Sequence, residues 1–143
     1  MNEDTCRLLQ ECTSGCSTAM ESMEQVMPDV QCDELARIIG SYKEKHKAIW
    51  KSAGILLHES GNEDKHPGVA ASSFMWVTTE MKLLMKNDDH QIAKLMMDGC
   101  NMGIQSICRC QNQYEGAEPI ARDIARQLVK TEEEFMEELK GFL

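Results

Sequence analysis

The stretch that decides the fold is Cys6–Met27, "CRLLQECTSGCSTAMESMEQVM". Spaced by three and four residues, Leu9, Cys12, Cys16, Met20, Met23 and Met27 fall on one face of a helix. The face is apolar but rich in sulfur, where Leu and Ile would be usual. It runs without interruption from about Asp4 to Met27 and stops before Pro28, so the chain opens with a helix of some seven turns.

The same period continues through the rest of the sequence. No segment sustains the alternation of a strand. The three prolines, Pro28, Pro67 and Pro119, all lie between helical patterns. A second helix is expected over 33–59, with Leu35, Ile38, Ile39, Tyr42, His46, Ile49, Ala53, Leu56 and Leu57 inward. Asp29 or Asp33 would cap its start and Gly61 its end. A polar loop, "NEDKHPG", leads to a shorter helix over 69–86 burying Phe74, Val77, Met81, Leu84 and Met85. After a break at Asn87-Asp88-Asp89, a helix over 89–114 buries Ile92, Met96, Cys100, Ile104 and Ile107. The turn "YEGAEP" leads to a last helix over 119–142, which buries Ala121, Ile124, Leu128, Phe135 and Leu139 and has Pro119 at its first position.

These lengths predict an all-α, single-domain chain over residues 1–143. Helices joined by short turns pack antiparallel, giving two hairpins, 4–27 with 33–59 and 89–114 with 119–142. The 69–86 helix then crosses between them. This is the connectivity of a four-helix bundle with one long crossover.

Bulk properties limit the functions available. The chain has 143 residues and a formal charge of −9, which repels phosphate backbones and argues against a nucleic-acid partner. No stretch approaches the ~20 apolar residues of a membrane span. The start, "MNEDTCRLLQ", lacks the basic region of a secretory signal. Seven cysteines, an odd number placed inside helical patterns, read as reduced thiols, and a cytoplasmic location is expected. There is no phosphate-binding loop, dinucleotide fingerprint or nucleophile elbow.

The segment "FMWVTTEMKLLMKNDDHQIAKLMMDGCNMGIQ" resembles an uncharacterised bacterial branch of the ferritin-like superfamily. Trp76, the break Asn87-Asp88-Asp89, Ile92 and Gly99 carry the likeness. The resemblance implies chiefly a fold. Two departures bear on function. Cys100-Asn101 stands where the family motif has Glu-Asp, and Thr13-Ser14-Gly15 stands where the first helix would have an acidic pair. A di-iron site of this fold takes Glu from two helices and Glu-x-x-His from the other two. The only Glu-x-x-His is Glu63 to His66, in the loop before Pro67. A conventional di-iron centre is therefore not expected.

A helical wheel and a depth count find other candidates. With the first turn centred near Val30, Cys16 lies 14 residues before it and His46 16 after. With the last turn centred near Ala117, Cys100 lies 17 before and Glu132 15 after. At ~1.5 Å per residue these depths agree within a few ångströms. Cys12, Cys16, His46, Cys100 and Glu132 are thus expected near mid-bundle, where ferritin-like proteins hold metal. Thiolates, an imidazole and a carboxylate suit Zn²⁺ or Cu⁺ better than iron. The same residues also have an ordinary reading as core. Free Cys and Met pack as apolar groups, and His46 could hydrogen-bond Glu132 or Tyr42.

Lesser candidates are Cys32, near a helix start, and the Cys108-Arg-Cys110 pair, whose side chains diverge on a helix. His58, His66 and His90 are expected at the surface. The expected role is binding or structural more than enzymatic. The rivals are a soft-metal or thiol-based sensor and a degenerate di-iron oxidoreductase. A homodimer is expected to bury Trp50 or Trp76.

Overall fold

A computed structural model describes residues 1–62 and 88–143. These residues form four α-helices: α1 (Glu3–Val26), α2 (Asp33–Glu59), α3 (Asp89–Gln113) and α4 (Pro119–Leu139). Short 3₁₀ turns follow α1 (Met27–Asp29) and α4 (Lys140–Phe142). The described residues contain no strand, and the all-α expectation holds for them. The expected 69–86 helix, with Phe74, Trp76, Val77, Met81, Leu84 and Met85, lies outside the described residues. So do Asn87 and the Glu63–His66 pair.

Helix α1 packs along α2, and α3 along α4. Helix α2 also packs on α4, and α1 on both α3 and α4. Hydrogen bonds at the two ends fix the directions. At one end the α3–α4 turn is tied to the start of α1. Gly116 N–H donates to Asp4 Oδ2 at 2.8 Å, Asn2 Nδ2 to the Gly116 carbonyl at 2.8 Å, and Glu118 N–H to Thr5 Oγ1 at 2.8 Å. A side chain at Gly116 would bring its Cβ to 2.8 Å from Asp4 Oδ2, so a larger residue would push that carboxylate aside and disturb its bond. At the other end Asp89, opening α3, accepts N–H bonds from Gln31 and Cys32 in the α1–α2 turn, both at 2.9 Å. His90 Nδ1 meets the Phe142 carbonyl at 2.7 Å at that same end. Helix α1 thus runs up, α2 and α3 down, and α4 up. The pairs α1–α2, α3–α4, α2–α4 and α1–α3 are antiparallel, while α1 and α4 run the same way.

The helix ends follow local chemistry. Asn2 caps α1 by accepting from Thr5 N–H at 2.8 Å, and Asp88 caps α3 by accepting from His90 N–H at 2.9 Å. Helix α2 departs from expectation. Its cap position is Cys32, with no side-chain cap bond, and neither Asp29 nor Asp33 fills that role. Asp89 from α3 bonds the neighbouring amides in their place. Helix α2 ends as expected. Gly61, at φ +76°, donates to the His58 carbonyl, and Asn62 N–H to that of Leu57. This is a Schellman closure, which needs the left-handed conformation glycine adopts without strain.

The core divides into two apolar halves. The lower half joins Leu9, Cys12, Cys16, Ile49, Ile107 and Leu128. The upper half joins Met23, Ile39, Tyr42, Met96, Cys100 and Phe135, with the Tyr42 and Phe135 rings stacked at 4.6 Å. On α2 the boundary between the halves is His46, and on α4 it is Thr131 and Glu132. All three are buried. Met20, Met27, Leu56 and Ile104, expected inside, are only partly buried.

Candidate functional site

The boundary layer is where the polar chemistry lies. His46 is 0% exposed and the Glu132 side chain 8%. The His46 Nε2 nitrogen and Glu132 Oε1 are hydrogen-bonded directly across α2 and α4. The other ring nitrogen, Nδ1, lies 2.6 Å from the Tyr42 carbonyl, one turn earlier on α2. A carbonyl can only accept, so Nδ1 carries a proton. Burial pushes the His46 pKa down. The Glu132 hydrogen bond, the Glu132 charge and the Tyr42 carbonyl outweigh burial and leave it above the ordinary value. The raised pKa favours an imidazolium whose Nε2–H donates to the Glu132 carboxylate.

Cys100 joins this pair from α3. Burial raises its thiol pKa well above normal, and the Glu132 charge and a hydrogen bond to Glu132 raise it further. The thiol stays protonated beside the carboxylate. Cys16, on α1, is raised by burial, then by Cys12 and by Glu132. Cys12 lies one turn lower. Burial pushes it up to about 12, with smaller contributions from Cys110 and Glu11 in the same direction.

The sequence-based depth count thus brings His46 and Glu132 into contact and sets Cys100 and Cys16 within electrostatic reach of Glu132. Cys12 belongs with Cys110 in the lower half of the core. Among the described residues no three His, Cys, Asp or Glu side chains are grouped as one metal ion would require. Glu132 is the one buried carboxylate among them. All seven cysteines are free thiols. Cys32 and Cys108 are partly exposed, and Cys110 is buried. His58 and His90 are exposed, as expected.

One feature has no counterpart in the sequence expectations. A partly enclosed cleft of about 60 Å³ runs along the α1–α3 seam. Gly15 and Ala19 of α1 face Gly99 and Gly103 of α3 there, and Glu132 forms part of its wall. A Cβ at Gly103 would stand 3.4 Å from Glu132 Oε2, so the second carboxylate oxygen reaches the cleft beside that glycine. The sequence signal was present as small residues four apart on both helices. An apolar wheel ignores small residues, and this signal was passed over.

No helix among the described residues is long and apolar enough to cross a membrane. Comparison with protein-family models, with curated proteins and with solved structures gives no match.

Proposed function

We propose that this chain is a ferritin-like four-helix bundle acting as a binding or structural protein, without a conventional di-iron centre. The connectivity supports the fold. The pairs α1–α2 and α3–α4 are antiparallel, and α2 ends at the opposite end of the bundle from the start of α3. The observation that carries the functional reading is that Glu132, the one buried carboxylate among the described residues, is already engaged by His46. Iron in such folds needs several carboxylates facing one another. Anaerobic loading with Fe²⁺, followed by desalting, metal analysis and exposure to oxygen, tests this. The expected result is no stoichiometric iron and no ferroxidase activity. About two irons per chain with rapid oxidation would establish the rival, a di-iron oxidoreductase with unusual ligands.

A second reading, a Zn²⁺ or Cu⁺ carrier or thiol sensor using Cys12, Cys16, His46, Cys100 and Glu132, is favoured by one contact. Glu132 bonds His46 and lines the same cleft as the Cys100 thiol. Protein purified without chelator would then carry about one equivalent of metal, with its thiols protected. Less than about a tenth of an equivalent removes this reading. The proposed setting is the cytoplasm, where the thiols stay reduced. A homodimer is proposed to cover Trp50, which is 42% exposed on α2, and a monomeric mass at micromolar concentration would refute it.

A further inference from the structure

The cleft between α1 and α3 has both a shape and a polarity. Its seam is lined by Gly15, Ala19, Gly99 and Gly103, none of which is fully buried, so the cleft communicates with solvent along that seam. At Gly99 a Cβ would meet nothing within 4 Å, so the helices leave real space there. The remaining lining is mostly apolar and includes methionines, which adapt to a guest, with the hydroxyls of Thr18, Ser22 and Ser106 among them. Among the described residues the charged groups lining the cleft are Glu11 and Glu132, with no Lys or Arg. Glu132 Oε1 is taken by His46, while Oε2 is turned toward Gly103 and the cleft. A buried carboxylate oxygen is costly to leave without a strong donor, and the nearby Cys100 thiol is a weak one. A cavity of about 150 Å³ accommodates benzene, so this one takes a polar head and a few carbons at most.

We propose that the cleft is a binding site for a primary alkylammonium group, with the ammonium on Glu132 Oε2 and its alkyl chain along the Gly and Met walls toward the seam. Acidic lining with apolar walls selects a cation that carries carbon over an anion or a hydrated metal ion. A glycine stripe also admits a short chain that ordinary side chains would exclude. This proposal rests on Glu132 being free of iron, as the preceding reading holds.

The test is calorimetric titration of the reduced full-length protein with n-butylammonium, butan-1-ol and butyrate at matched ionic strength. Butylammonium is expected to bind at one site, at least about tenfold more tightly than butan-1-ol, the gain expected of a charged hydrogen bond. Butyrate is expected not to bind. Gly99→Leu, which places a side chain in open space and should fold, is expected to abolish binding. Gly103→Ala, whose methyl covers Oε2, should weaken it at least about tenfold. Glu132→Gln should do the same if it folds. Equal affinity for butan-1-ol, no heat from butylammonium up to 10 mM (about the weakest affinity worth assigning to a site), or binding that survives Gly99→Leu would each overturn the proposal. Failure here together with no iron uptake removes the amine site and leaves the non-iron reading standing. Iron uptake removes both.

Discussion

Removing one member of the His46–Glu132 pair is the sharpest perturbation the fold offers. His46 is fully buried and the Glu132 side chain 8% exposed, so neither charge can turn to water. Glu132→Leu leaves an imidazolium, or a desolvated imidazole, facing apolar core. His46→Leu leaves a buried carboxylate without its one strong hydrogen-bond partner among the described residues. Breaking a buried pair from one side costs about 3–5 kcal/mol, because the surviving charge has no compensation. A domain of this size has about 5–15 kcal/mol in total. Each single variant should therefore lose from about a fifth to all of the stability, and about 9–15 °C in Tm at ~3 °C per kcal/mol. Replacing both residues should restore most of it, since two leucines would join the apolar halves above and below the layer. Urea unfolding at pH 7 in reductant, followed by far-ultraviolet circular dichroism, measures all four proteins of the cycle. The losses should fail to add by at least about 3 kcal/mol. Single losses under about 1 kcal/mol, the range of a solvated ion pair, would refute the reasoning.

Three further outcomes follow from the same geometry. The His46 pKa is raised in the folded state, so its contribution to stability is complete below the unfolded value of ~6.5 and is lost as pH rises through the folded value. Urea midpoints should therefore fall from pH 6.5 upward in the wild type more than in His46→Leu/Glu132→Leu, and parallel profiles would count against the charged pair. With its pKa near 12, Cys12 presents about one part in ten thousand as thiolate at pH 8. A thiol reagent should therefore label the partly exposed Cys32 and Cys108 first, and reach Cys12, Cys16 and Cys100 only at the rate of unfolding. Asp89→Ala removes the acceptor for two backbone amides, Gln31 and Cys32, and should cost about 1–3 kcal/mol, whereas Asp33→Ala should cost less than half as much.

The helices were legible in the sequence because each carries a continuous 3.6-residue pattern closed by a proline, a capping residue or Gly61. The meeting of His46 with Glu132 was legible too. Two rods of known rise, folded back at a short turn, must align residues equidistant from that turn, and the errors stay within one helical step. Cys12 was misplaced by that one step. At 1.5 Å per residue its four-residue offset from Cys16 is about 6 Å, enough to move it from the polar layer to the neighbourhood of Cys110. The role of Asp89 could not be read. Its carboxylate serves amides more than fifty residues away in sequence, and local capping rules favour nearer residues such as Asp29 and Asp33. The α1–α3 cleft went unread for a different reason. It is defined by side chains that are missing, and periodicity counts only those that are present.

The polar layer also bears on why the helices meet in one register. Antiparallel helices with apolar faces tolerate a slide of one turn, ~5.4 Å, with little loss of buried area. In this bundle such a slide would bring His46 opposite Leu128 or Phe135 instead of Glu132. Two buried charges would then lose their partners, at the several kcal/mol already worked out for a single one. Apolar packing on its own cannot impose that gap, because Leu, Ile, Met and Cys are nearly interchangeable along these faces. The pair should therefore contribute little to net stability and much to uniqueness. The double variant His46→Leu/Glu132→Leu separates the two effects. It is expected to keep a urea midpoint close to that of the wild type. It is also expected to show broadened or doubled amide resonances for α2 and α4, where the register is no longer fixed. A single sharp set of resonances in a stable double variant would show that the shape of the core alone sets the register.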